Sequence, residues 1–85
     1  MSNFEYGTKI PPNTYVVLNI EDPGLYADYV QHYENALGTK NGGLVLCLGE
    51  ISNMPNHYIC VNDTTKQIVG NFHCDIFRPA TDEDL

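Results

Sequence analysis

Residues 43–79 read GLVLCLGEISNMPNHYICVNDTTKQIVGNFHCDIFRP. This stretch contains three short segments that are rich in apolar and β-branched residues and are separated by turn-forming residues, a pattern typical of strands. The predicted strands are 44–51, 57–61 and 68–74. Residues 75–78 are suited to a single 3₁₀ turn that ends at Pro79. Several short strands joined by tight turns predict a small β-barrel.

A further strand and a helix are predicted upstream of this stretch. Residues 14–20 are dominated by β-branched and aromatic side chains, which favours a strand. Asp22 can cap a helix and Pro23 suits its first position, after which apolar residues recur with a period of 3.6. We therefore expect a helical insertion over 22–37, with Gly38 ending it in a left-handed cap.

The hairpin formed by the last two strands has a predicted register and core. With a turn centred on residues 64–65, the expected opposing pairs are His57 with Phe72, Ile59 with Gly70, and Val61 with Ile68. The glycine in this hairpin permits a bulge. The expected core residues of the stretch are Leu46, Leu48, Ile59, Val61, Ile68 and Phe72.

The length of 85 residues predicts one domain. Its predicted parts are a lead-in at 1–13, the first strand at 14–20, the helical insertion at 22–37, the meander and 3₁₀ turn at 44–79, and an acidic tail at 80–85. The tail is expected to fray, as chain ends commonly do.

The charge and the cysteine pattern restrict the class of partner and the compartment. Four Lys and Arg face eleven Asp and Glu, for a net charge of −7. Phosphate contacts need clustered Lys and Arg, so direct nucleic-acid binding is not expected, and the charge favours a basic partner. No signal peptide or membrane-spanning run is recognisable. The three cysteines suit reduced thiols. We therefore expect a cytoplasmic protein with no membrane association.

The order of elements resembles an SH3-like barrel, and the chain also resembles short accessory proteins of bacterial viruses. The segments that carry it are 58–63 (YICVND), 69–73 (VGNFH) and 77–79 (FRP), about half the chain when the intervening residues are included. The resemblance implies an α+β, mainly β fold: a small five-stranded SH3-like barrel with one helix inserted after the first long strand. It also implies a viral protein in the cytoplasm of an infected host cell.

No catalytic signature is apparent, so a non-enzymatic role is expected. The favoured function is binding to a host protein with a basic surface, and modulation or inhibition of that protein. A nucleic-acid-binding enzyme or a defence factor is the concrete version. Two alternatives stay open, a small-molecule or nucleotide-sequestering oligomer and a structural or assembly component of a virion. Binding to a second copy of the chain, in a homo-oligomer, also stays open under the favoured function.

The helical insertion is the predicted place for a partner, because it is rich in tyrosine, which is frequent at interface hot spots. The expected aromatic and acidic contact surface consists of Asp22, Tyr26, Asp28, His32 and Glu34. For the tyrosines the favoured interpretation is that Tyr29 and Tyr33, together with Leu25 and Leu37, dock the helix on the barrel.

Histidines and cysteines in the meander are residue types that bind zinc. Strand alternation, however, places His57 and Cys60 on opposite faces, and likewise His73 and Cys74. The cysteines, Cys47 included, are instead expected to pack as small apolar side chains. No metal-ligating, cofactor-binding or catalytic residue is therefore assigned from the sequence.

Overall fold

The computed structural model describes residues 9–20 and 27–85, with only the backbone at 27 and 28. The elements are β1 (Thr14–Leu18), α1 (Ala27–Leu37), β2 (Leu44–Glu50), β3 (His57–Val61), β4 (Ile68–His73), a 3₁₀ turn (Cys74–Ile76) and β5 (Phe77–Pro79). The helix, the 3₁₀ turn and β1 to β4 lie in or beside their predicted ranges, whereas β5 begins within residues that were predicted as the 3₁₀ turn. The mainly β, α+β class is confirmed. The predicted helix start at 22–26 lies outside the described residues.

The five strands form one antiparallel sheet in the order β4-β3-β2-β1-β5. The 3₁₀ turn carries the chain from one edge of the sheet to the other, where Asn19 N–H donates to the carbonyl of Ile76 at 2.8 Å. Within 9–20 and 27–85 no hydrogen-bonded ladder joins β4 to β5. The described strands thus form an open sheet, and the closed barrel expected from the sequence is not seen in them.

The hairpin of β3 and β4 begins in the predicted register. Val61 pairs with Ile68 and Ile59 pairs with Gly70. Beyond the second pair the register shifts, as the glycine there permits.

The shift inserts Asn71 as an extra residue in β4. Tyr58 consequently pairs with Phe72, and His57 pairs with His73. The predicted pairing of His57 with Phe72 is therefore wrong. Because side chains alternate along a strand, one inserted residue moves everything after it to the opposite face.

A second bulge lies in β2, also beside Ile59. Cys47 pairs with Cys60 and Gly49 pairs with Ile59, so Leu48 is left without an opposing residue. The two bulges flank the same residue of β3 from either side, which bends the sheet at that position.

The core lies on the face of the sheet that α1 covers. Its buried members are Ile10, Val16, Leu18, Leu37, Val45, Cys47, Tyr58, Cys60, Phe72, Cys74 and Phe77. Of the core residues predicted from the sequence, only Phe72 belongs to this set, because the bulge moves it there. The others lie partly or largely exposed on the opposite face: Leu46, Leu48, Ile59, Val61 and Ile68.

Helix α1 docks through its C-terminal half. Leu37 is fully buried, and the ring of Tyr33 lies edge-on to Phe72 with centroids 5.9 Å apart. In the described part of the chain, no helix has the length and apolar character that a bilayer crossing requires.

The described part of the lead-in is hydrogen-bonded to β3. Ile10 is buried, and its N–H donates to the hydroxyl of Tyr58 at 2.9 Å. This bond satisfies a backbone donor that burial would otherwise leave unpaired. Lys9 forms an ion pair with Glu50 at 2.7 Å. The first eight residues of the predicted lead-in lie outside the described residues.

Hydrogen bonds also hold the C-terminal tail in place, so the expected fraying is wrong. Arg78 donates two hydrogen bonds to the carboxylate of Asp84, at 2.9 and 3.1 Å. That carboxylate also accepts from the N–H and the hydroxyl of Thr81, at 2.8 and 3.1 Å. The tail thus forms a capped turn held against β5.

Candidate functional site

The predicted contact surface of the helical insertion is only partly described. Asp22 and Tyr26 lie outside the described residues, and Asp28 is described only as backbone within α1. His32 is exposed, and its ring lies edge-on to that of Tyr33 with centroids 5.4 Å apart.

Glu34, the fifth predicted contact residue, holds the loop that follows α1. Its Oε2 accepts the N–H of Asn41 at 2.8 Å. Asn41 in turn bonds both backbone groups of Ile20, accepting from its N–H at 2.8 Å and donating to its carbonyl at 3.2 Å. Glu34 is only partly exposed, and at least one of its oxygens stabilises the loop.

Of the two tyrosines in the described part of α1, Tyr33 is packed and Tyr29 is largely exposed. Tyr33 donates to the hydroxyl of Tyr29 at 3.4 Å, and burial, followed by this bond, raises the pKa of Tyr33 to about 12. Tyr29 is 56 % exposed. The expected docking role is therefore confirmed for Tyr33 and Leu37 but not for Tyr29, and Leu25 lies outside the described residues.

An open pocket of about 360 Å³ lies between the end of α1 and the β3–β4 turn, lined by residues from 34–40 and 62–65. Asn62 Oδ1 accepts the N–H groups of Thr64 and Thr65 at 2.9 and 2.8 Å, and its Nδ2 donates to Ala36 O at 2.9 Å. The hydroxyl of Thr64 donates to Gly38 O at 2.8 Å. Much of the polar lining is thus already bonded within the protein.

The face of the sheet opposite the core carries a row of four apolar side chains. Tyr15 pairs with Leu46, Leu46 with Val61, and Val61 with Ile68. Directly opposed residues of antiparallel strands share a face and lie in contact range, so these four side chains cross β1 to β4 without a break. We call these four residues the outer row. Ile68 is 70 % exposed and Tyr15 48 %, while the other two are partly exposed.

The face that carries the outer row is exposed at its β4 end and buried at its β5 end. Val17 lies on the same face but is fully buried. It pairs with Arg78, whose side chain is held by Asp84 in the C-terminal turn. At the other end, Ile68 belongs to the edge strand β4. The exposed apolar surface therefore runs from Tyr15 of β1 to Ile68 at the β4 edge and does not extend past Val17 to β5.

All three cysteines are buried. The Sγ atoms of Cys47 and Cys60 lie 3.6 Å apart across neighbouring strands. The contact with Cys47 and then burial raise the pKa of Cys60, and burial raises the pKa of the Cys74 thiol. A nucleophilic cysteine requires a lowered pKa, so these surroundings are unlike those of an activated thiol.

The pair His73 and Cys74 departs from the sequence prediction. The 3₁₀ turn begins at Cys74, so strand alternation ends before it. Sγ of Cys74 lies 3.9 Å from Nδ1 of His73. The prediction that these two side chains diverge is therefore wrong.

Comparisons with protein-family models, with curated proteins and with solved structures each found no match to this chain. We therefore infer function from the fold and its surfaces.

Proposed function

We propose that this chain is a non-enzymatic protein-binding module whose contact surface is the outer row. The observation that carries the proposal is the exposure of Ile68, 70 %, at the end of a continuous apolar row. Contiguous exposed apolar surface on a small protein marks an interaction site. Tyr15 adds a large side chain with a polar tip, a type enriched in interfaces.

The partner that fits best is a protein with an apolar contact patch and basic surroundings. The chain carries a net charge of −7, while the outer row itself has no charged member. In such a pairing the charge steers the encounter and the apolar contact holds the complex. Nucleic acid does not fit, because its phosphates would be repelled.

The resemblance to accessory proteins of bacterial viruses supports a particular version of this proposal. In that version the chain acts in the cytoplasm of an infected cell and modulates a host protein, such as a nucleic-acid-binding enzyme or a defence factor. The fold family belongs to the same proposal: the order β4-β3-β2-β1-β5, with a 3₁₀ turn before β5, supports an SH3-like arrangement.

The pocket beside Asn62 supports a second candidate function, the binding of a small molecule. Its volume of about 360 Å³ falls at the lower end of the range for ligand sites. Addition of a nucleotide panel should then raise the melting temperature of the wild-type protein. A Lys40→Ala variant, changed in the pocket lining, should lose that increase.

Affinity capture from bacterial lysate, followed by reconstitution with the purified partner, tests the main proposal. Ile68→Asp places a charge on the outer row, and Gln67→Asp places the same charge on the neighbouring exposed residue. We expect wild type and Gln67→Asp to retain the same identified protein in a complex of defined stoichiometry. Ile68→Asp should lose it, while its melting temperature stays near that of wild type.

Two results would contradict the proposal. One is a partner retained equally by Ile68→Asp and Gln67→Asp. The other is a partner lost only with changes in α1, such as His32→Ala, which would place the contact on the helical insertion. If the wild type self-associates and Ile68→Asp abolishes that self-association, the partner of the outer row is a second copy of this chain.

A further inference from the structure

Three consecutive side chains bring metal-binding atoms together where β4 enters the 3₁₀ turn. Donor atoms of His73, Cys74 and Asp75 all lie within 4.8 Å of one another, and no other group in 9–20 and 27–85 does so. Nδ1 of His73 lies 3.9 Å from Sγ of Cys74 and 3.4 Å from Oδ2 of Asp75. Neighbouring donors in a tetrahedral zinc shell lie roughly 3.3–3.6 Å apart, given Zn–N and Zn–O near 2.0–2.1 Å and Zn–S near 2.3 Å.

A fourth donor lies across the hairpin. His57 pairs with His73, and their rings meet edge-on with centroids 5.0 Å apart. Nδ1 of His57 lies 2.9 Å from the carbonyl of Pro55. Since a carbonyl only accepts, Nδ1 carries the proton, and the lone pair of the neutral ring is on Nε2. Metal-binding histidines commonly donate their other nitrogen to a backbone carbonyl in this way.

A residue whose backbone bonds to Cys74 carries a buried side-chain oxygen without a partner among the described residues. Asn56 is 3 % exposed, and its Oδ1 has no hydrogen bond in the described part of the chain. The backbone of Asn56 adjoins the cluster, since Cys74 N–H donates to Asn56 O at 2.9 Å. Buried oxygens of this kind normally have a partner.

We propose that His73, Cys74 and Asp75 bind a zinc-type divalent cation, with Nε2 of His57 or a water molecule as the fourth ligand. Imidazole, thiolate and carboxylate together are zinc donors, and the thiolate disfavours magnesium and calcium. The Cys74 thiol releases its proton to solvent on binding.

Metal binding displaces a hydrogen bond that His73 accepts in the metal-free protein. Nδ1 of His73 accepts the N–H of Asp75 at 3.0 Å, which caps the 3₁₀ turn. The metal takes this lone pair. The N–H of Asp75 belongs to an exposed residue and can bond to water instead. The site is independent of the outer row and of the proposed function.

Titration of the purified full chain with Zn²⁺, followed by calorimetry, tests the proposal, with Co²⁺ as a spectroscopic probe. We expect one ion per chain, bound in the micromolar range or more tightly, and a thiolate-to-cobalt charge-transfer band. Asp75→Asn should weaken binding at least about tenfold, by analogy with losses around metal ligands. Cys74→Ser should remove the charge-transfer band. His32→Gln, a change of an exposed histidine outside the cluster, should bind as the wild type does.

The proposal is overturned if the wild type shows no saturable binding of either ion. It is also overturned if Asp75→Asn binds as tightly as the wild type, because the ion would then be held elsewhere. Asp75 is exposed, so its variant is expected to fold even if replacement of the buried Cys74 prevents folding.

Discussion

Two asparagine side chains join segments that are far apart in the sequence. Asn41 bonds both backbone groups of Ile20, as a neighbouring strand would. Asn62 donates to Ala36 O at the end of α1 and accepts from the N–H groups of the following turn. The last carbonyls of a helix have no intrahelical partner, so Asn62 fastens the helix to the β3–β4 hairpin.

Asn62→Ala should therefore be among the more destabilising single changes. It leaves two N–H groups and one carbonyl without their partner, and we expect a loss of about 2–3 kcal/mol in the free energy of unfolding. Chemical denaturation measures it. Asn53→Ala changes an exposed turn residue and should stay within about 0.5 kcal/mol of wild type. Equal free energies of unfolding for the two variants would contradict the role of Asn62 in holding α1 to the β3–β4 hairpin.

The sequence predicted the turn that contains Asn62 but not the contact of its side chain with α1. Turn composition is a local property, whereas this bond depends on where the helix docks. Asn41 was missed for the same reason: its partner, Ile20, lies 21 residues away.

At the scale of elements, the strands were predictable but their buried faces were not. Alternation in β2 separates Leu44 and Leu46 from Val45 and Cys47, and both sets are apolar. Periodicity therefore could not decide which set is inside. The structure buries the smaller pair, Val45 and Cys47. Ile68 and Phe72 were predicted on one face of β4, and the bulge at Asn71 places them on opposite faces.

The junction between α1 and the loop after it depends on Gly38. Its φ is +65°, and an added Cβ would collide with the Asn62 side-chain oxygen and come within 2.7 Å of Thr64 N. Gly42 also has a positive φ, +97°, but open space around it. We expect Gly42→Ala to cost about 1–2 kcal/mol from backbone strain alone.

Gly38→Ala should cost at least about 1 kcal/mol more than Gly42→Ala, because Asn62 must also move. Urea denaturation of the two variants measures this difference. If both lose the same amount, the collision with Asn62 does not limit the junction.

At the scale of the whole molecule, the acidic tail is part of the fold. Composition alone predicted a frayed end. The bidentate contact of Arg78 with Asp84, closed by Thr81, instead returns the tail to β5. Hydrogen bonds from Arg78 and then from Thr81 lower the pKa of Asp84.

Asp84→Asn should therefore lower the melting temperature in a pH-dependent way. A carboxyl whose pKa is lower in the folded state stabilises the fold above its unfolded pKa, about 3.9, and loses this effect as the pH falls towards its folded value. We expect a constant difference from wild type above roughly pH 5. The difference should shrink below about pH 4. Asp82→Asn, an exposed neighbour, should show little effect, and a pH-independent loss in Asp84→Asn would contradict the role of the charge.

Most of the predicted contact surface stays a prediction, because Asp22 and Tyr26 lie outside the described residues and Asp28 is described only as backbone. Composition drew attention to the tyrosines and acids of the helical insertion. In the structure Tyr33 packs against the core, as the docking interpretation predicted, and Glu34 holds a loop. The outer row could not be separated from a core stripe before the buried face was known. Leu46, Val61 and Ile68, which were predicted as core residues, instead belong to the outer row.

Binding measurements with the purified partner test the central claim, that the outer row is the contact surface. Wild type, Ile68→Asp and Gln67→Asp would be titrated by calorimetry, with their melting temperatures measured in parallel. A buried charge without a partner weakens an interface by several kcal/mol, so Ile68→Asp should lose at least about 30-fold in affinity, and Gln67→Asp less than about threefold. Equal affinities of the two variants, at unchanged stability, would contradict the claim.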